Sequence, residues 1–114
     1  MMMSERYCLV LTTCPDETCA RQIGEHLVVE KLAACVNIIP GVTSIYSWEG
    51  QIESAQEQLL LIKTRQDQYA ALERAICAIH PYELPEVIAL PIDHGHPDYL
   101  NWISTWINTK PAAR

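Results

Sequence analysis

Residues Tyr7 to Thr13, YCLVLTT, form a nearly continuous apolar, β-rich run that stops at CPDE, where a proline and two acids mark the start of a helix. Ala20, Ile23, Leu27 and Val28 then recur at steps of three and four, while Arg21, Gln22, Glu25 and Glu30 fall off that stripe. The pattern predicts a strand and then an amphipathic helix with Pro15 in its first turn. Gly24 inside that helix costs about 1 kcal/mol relative to alanine, which points to a role in letting the helix approach a sheet closely. LAACVNIIPG supplies a second strand, ended by Pro40 and Gly41.

Val42, Ser44, Tyr46 and Trp48 alternate with Thr43, Ile45 and Ser47 ahead of Glu49-Gly50, which predicts a hairpin. Residues 51 to 64 stay open on propensity alone. The spacing of Ile52, Glu53 and Glu57 is compatible with a long helix running on into RQDQYAALERAICAIH, whereas the run Leu59 to Ile62 favours a buried strand. In the strand reading, Thr64 with Asp67 three residues later caps a separate helix. Tyr69, Leu72, Ile76 and Ile79 define that helix, which ends at His80 because Pro81 follows. EVIALP is the last core strand, DHGHPD a loop, and DYLNWISTWINT a short helix with Tyr99 or Leu100, Ile103 and Trp106 or Ile107 on one side. The order βαββαβ plus a helix predicts an α+β, ferredoxin-like sandwich.

As a single strand, residues 51 to 64 reach about 46 Å, whereas a globule of this length is about 34 Å across. The hairpin therefore overhangs its own domain, and an overhanging two-stranded ribbon needs to pack on another copy of the chain.

At 114 residues the chain is expected to be one domain, 1–114, with flexible ends at 1–5 and 109–114. A formal charge of −6, with 8 scattered Lys and Arg, argues against nucleic-acid binding. No window is apolar enough for a membrane span or a signal peptide, and the expected location is cytoplasmic. Five cysteines (Cys8, Cys14, Cys19, Cys35, Cys77) form no CxxC pair, so neither a disulfide framework nor a zinc ribbon is predicted. No GxSxG, HExxH, P-loop or Rossmann fingerprint appears, and the chain is not expected to be an enzyme.

The stretches TTCPDE, LVVEKLAACVNIIPGVTSIYSWEGQIE, LLLIKT, HPYELPEVIALPI and YLNWI together resemble the CutA family of divalent-cation tolerance proteins, over about residues 7 to 107. The resemblance implies a fold similar to that of PII signalling proteins, with residues 51 to 64 as a strand. It also implies a homotrimer in which the long hairpin lies along neighbouring sheets. The function it implies is divalent-cation tolerance, with copper or another divalent metal ion as the bound species. In some members copper binding is attributed to a cysteine of the first strand and the histidine before PY, which correspond to Cys14 and His80; Ile79 stands where some members carry a second histidine.

The placement of Cys14 at a helix N-terminus predicts a lowered thiol pKa and a metal-ready thiolate. Cys35 is a further thiol candidate, facing core or subunit interface. Cys77 with His80 is a possible helical chelate, as is His94-Gly95-His96 in its loop. Tyr46, Trp48, Glu53, Glu57, Lys63, Tyr82, Glu83 and Trp102 are polar-aromatic and acidic groups on the ribbon and around HPYE. On a strand Glu49, Glu53 and Glu57 share one face. PII-like trimers hold small ligands in clefts between subunits, so these residues are the candidate cleft for an unidentified small molecule or protein partner.

Overall fold

The structure, a computed structural model, describes residues 6–109. Among them the elements run β1 (Tyr7–Cys14), α1 (Glu17–Val29), β2 (Cys35–Trp48), β3 (Gln51–Arg65), α2 (Tyr69–Ile79), β4 (Ile88–Pro91) and α3 (Pro97–Asn108). The strands form one antiparallel sheet in the order β2-β3-β1-β4, the ferredoxin-like arrangement that the element order predicts. The expected flexible ends lie, apart from Thr109, outside the described residues.

Side-chain parity gives the sheet two unlike faces. Cys8, Val10, Cys14, Leu60 and Ile62 point to the helices and pack with Ala20, Ile23, Leu27, Leu72 and Ile76 in a closed core. Gly24 lies where α1 crosses β2, and a Cβ there would stand 3.3 Å from Val36 Cγ1, so the close approach expected of this glycine is present. Leu9, Leu11, Leu59, Leu61 and Ile39, with Ile88 and Leu90 of β4, are on the opposite face, which α3 covers only at one end. There Tyr7, Ala34, Ile103 and Ile107 form a second cluster, and the Tyr7 and Ser104 hydroxyls are 2.7 Å apart. Leu100 and Ile107, rather than Tyr99, lie on the packed side of α3.

Several boundaries differ from the sequence expectation. Pro15 precedes α1 instead of entering its first turn, because Asp16 is the N-cap and its carboxylate accepts from Cys19 N at 2.8 Å. β2 does not end at Pro40-Gly41: a bulge between Ile39 and Val42 absorbs the proline, with Gly41 at φ 74°, and the strand continues to Trp48. Thr64 is not a helix cap. It is buried in β3, and its hydroxyl donates to Leu32 O at 2.7 Å, while a 3₁₀ turn over Gln66–Gln68 leads into α2. β4 is an edge strand paired only with β1, so Ile88 and Leu90 are about half exposed instead of core.

β3 is a 15-residue strand, the outcome that the family resemblance implied for residues 51 to 64 and propensity left open, and the molecule extends to 52 Å along its longest axis. The hairpin closes through Glu49 at φ 51° and Gly50 at φ 80°, a two-residue turn with both centres left-handed. Glu49 is thus a turn residue, and it does not share the strand face of Glu53 and Glu57. Gly50→Val is expected to lower stability by about 1–2 kcal/mol through the left-handed penalty, read as an earlier chemical-denaturation midpoint with unchanged slope.

Candidate functional site

Beyond the end of β1 the ribbon carries Tyr46 and Trp48 on β2 and Glu57 on β3, facing the turn that follows α2. His80 fixes that turn. It is the C-cap of α2, its Nε2 lies 2.8 Å from Thr13 O, and its Nδ1 accepts from Tyr82 N at 3.1 Å. An Nδ1 that accepts leaves the proton on Nε2, which donates to the Thr13 carbonyl. The His80 and Tyr82 rings pack with centroids 4.8 Å apart. Tyr82 then reaches the ribbon, and its hydroxyl donates to Glu57 Oε2 at 2.6 Å.

Between the ribbon and this turn lies a half-open cavity of about 490 Å³. Its walls include Tyr46, Trp48 and Glu57 from the ribbon and Tyr82, Glu83 and Glu86 from the turn, and among the described residues no basic one lines it. Glu57 is only 8% exposed, an unusual state for a carboxylate. Burial, followed by the Glu57 hydrogen bond and charge, raises the Tyr82 phenol above its ordinary range and keeps it a donor.

Of the candidate cleft residues, Tyr46, Trp48, Glu57, Tyr82 and Glu83 come together here. Glu53 pairs across the ribbon with Tyr46 in the exposed part of the hairpin and does not line the cavity. Lys63 and Trp102 are elsewhere: Lys63 contacts Asn37 and stands 4.0 Å from Cys35 Sγ, while Trp102 stacks on Tyr99 at 5.5 Å. Glu86 belongs to the cavity and was missed by motif reading. Its spacing of three from Glu83 across Pro85 was the available signal.

The three metal candidates do not form one site within a chain. Cys14 points to the helix core and Cys35, one strand pair removed from Asn37 and opposite Lys63, points to the other face. Strand parity keeps them apart. The expectation of a thiolate at Cys14 is reversed. The residue is fully buried, and burial, with Cys19, Glu57 and Asp16 adding to it, pushes its thiol up to about 12. His80 has both ring nitrogens engaged by backbone, so ligation requires breaking one of those bonds. Cys77 is exposed while His80 is buried, which separates that pair. His96 Nδ1 caps α3 by accepting from Asp98 N at 3.1 Å, whereas His94 is solvent-exposed beside Asp93, so the loop chelate is not assembled. Among the described residues no three His, Cys, Asp or Glu side chains are grouped to hold a metal ion.

A single-sheet α+β sandwich with a long ribbon and an acidic, aromatic cavity at its base defines the class. The chain belongs to the CutA1 divalent ion tolerance protein family, whose model matches residues 8–106. It is 53% identical over 91 residues to Protein CutA homolog of Xenopus laevis, covering 80% of this chain and 60% of that one. With Divalent-cation tolerance protein CutA of Thermus thermophilus it shares 50% identity over 95 residues, covering 83% of this chain and 92% of the relative. The chain thus spans less than two thirds of the Xenopus protein and nearly all of the Thermus one. The crystal structure of CutA from Xylella fastidiosa superimposes with a TM-score of 0.88 at 48% identity, covering 92% of this chain and all of that one. No helix among the described residues is long and apolar enough to cross a membrane.

The raised Cys14 pKa has a consequence for stability. A thiol held protonated in the fold contributes stability that is complete below its unfolded value of 9.0 and is lost as pH rises from there toward about 12. Alkaline denaturation is therefore expected to shift to higher pH in Cys14→Ala relative to the parent's own neutral-pH stability. In the native protein at pH 8, a thiol reagent should label exposed Cys77 rapidly and leave Cys8 and Cys14 untouched, with all five thiols reacting after unfolding. Rapid native labelling at Cys14 would contradict its burial.

Proposed function

We propose that the protein serves divalent-cation tolerance as a homotrimer that binds copper or another divalent metal ion, in the cytoplasm, by binding rather than catalysis. The observation that carries this reading is the cavity itself: Glu57, Glu83 and Glu86 line it, no lysine, arginine or histidine among the described residues does, and the chain as a whole is at −6. Such a concavity concentrates cations. Carboxylate oxygens accept divalent ions generally, whereas a preference for copper needs imidazole or thiolate in addition. A fully coordinated ion therefore draws ligands from a neighbouring chain or from water. Cys35 lies on the sheet face that a second copy would cover, and it is the thiol best placed to join such a set.

The trimer is supported by the uncovered apolar face, where Leu9, Leu11, Leu59 and Leu61 are only partly shielded, and by the ribbon, where Ile45 and Ile52 are 74% and 78% exposed. Light scattering at micromolar concentration is expected to report three chains of 12.9 kDa. A particle of one chain would remove the assembly. Calorimetric titration with Cu(II) and Zn(II) should show weaker binding in Glu57→Gln and unchanged binding in Cys14→Ala, whose thiol is protonated in the core, and in His94→Ala. Full affinity in Glu57→Gln would take the metal away from this cavity.

A second reading, a PII-like sensor that takes a small molecule or a protein partner, is favoured by the cavity's size. About 490 Å³ with aromatic walls falls in the range of small-molecule sites and exceeds the need of a bare ion.

A further inference from the structure

We propose that the cavity between the ribbon and the Ile79–Glu86 turn binds a small organic ammonium ion, an inference that rests on the small-ligand reading of this site. Glu57 is more than nine-tenths buried, yet its one hydrogen bond comes from the neutral Tyr82 hydroxyl on Oε2. Among the described residues Oε1 has no hydrogen-bond donor and the carboxylate has no cationic partner; Oε1 is not among the fully buried oxygens, so it stays open to solvent. A largely buried carboxylate with one oxygen left open is placed to receive a cation brought in by a ligand.

The wall chemistry decides between kinds of cation. A bare metal ion needs several converging ligands, and among the described residues no group of three exists within one chain, so a metal here depends on a neighbouring chain or water, whereas an organic cation does not. Tyr46, Trp48 and Tyr82 instead place three aromatic rings beside the carboxylates of Glu57, Glu83 and Glu86. Ring faces attract weakly hydrated, polarisable cations, and alkylated ammonium groups can shed water to reach them at little cost. The alkyl part of such a ligand has Pro81 and Leu84 to pack on, and Leu84 is otherwise a 72%-exposed leucine. Three aromatic residues and three acids thus line one concavity, assembled from a ribbon and a turn that the His80 hydrogen bonds hold in place.

The test is calorimetric titration of the purified, metal-free full-length protein with tetramethylammonium chloride, and with tert-butanol as an uncharged molecule of similar size. Tetramethylammonium should bind saturably and at least about tenfold more tightly than tert-butanol, the discrimination expected when cation–π attraction is joined by a largely buried carboxylate. Glu57→Gln and Trp48→Leu should each weaken tetramethylammonium binding by about tenfold, and Glu57→Gln should leave tert-butanol binding unchanged. Equal affinity for the two probes would overturn the ammonium assignment while leaving a small-ligand cavity standing. Binding of neither probe would overturn both. Tetramethylammonium binding that survives both substitutions would place the ion elsewhere and overturn the site. The comparison of the two probes on the unaltered protein decides the question even if a variant fails to fold.

Discussion

The backbone ladder of β3 is the constraint on which the remaining structure depends. Its second half, Gln58 to Arg65, pairs with β1 throughout, and with β2 as far as Lys63, in the centre of the sheet. Its first half pairs with β2 alone and leaves the domain as a ribbon. The change occurs where Cys14, the last residue of β1, faces Gln58. Glu57 is therefore the first residue past the end of β1, and it becomes the floor of the cavity. A slip of one residue would turn Glu57 toward the helices and Leu59 with it, so the register that builds the two sheet faces also places the carboxylate.

His80 supplies the opposite wall by a different means. Its imidazole ties the end of α2 to Thr13 and to the backbone of Tyr82, and the flanking Pro81 and Pro85 restrict what that turn can do. Tyr82 then needs no search to meet Glu57. The same two bonds explain why a histidine suited to copper by residue type is engaged structurally within one chain. Ligation and turn geometry compete for the same nitrogens, and breaking either bond frees the wall of the cavity as well as a ligand.

The elements legible in the sequence were those whose signal is local. The stripe of α2, its stop before Pro81, the close approach at Gly24 and the Glu49-Gly50 turn each rest on residues within one turn of each other. What was not legible depends on partners distant in the chain. Thr64 looks like a cap until Leu32, half a domain earlier, takes its hydroxyl. Pro40 looks like a strand end until a bulge against β3 carries it. Cys14 has the helix-terminal setting of a reactive thiol, but burial under α1 outweighs that setting and drives its pKa the other way. Of the cleft residues, Tyr46, Trp48 and Glu57 of the ribbon and Tyr82 and Glu83 of HPYE came together, whereas Glu53 stayed on the exposed ribbon and Lys63 and Trp102 lay beside Cys35 and Tyr99. Position along the strand decided that division: Lys63 shares the face of Glu57 but lies nearer the other end of β3, opposite Cys35, and Trp102 is on α3, so the grouping is readable only once the register is known.

The cavity and the uncovered apolar face share a border, because Thr13 lies on that face between Leu11 and the end of β1 and also lines the cavity. In the proposed trimer, a neighbouring chain laid on Leu11, Leu59 and Leu61 would therefore stand beside Glu57. Occupancy and assembly would then be linked: a cation neutralising Glu57 lowers the cost of burying it further, and a neighbour that excludes water strengthens the attraction of that carboxylate for the cation. Such coupling is reciprocal by thermodynamic necessity. In the proposed trimer a chain at −6 would gain from having its most buried acid neutralised at the border of the contact, and the proposed cation would then sit at the edge of the surface on which the subunits meet.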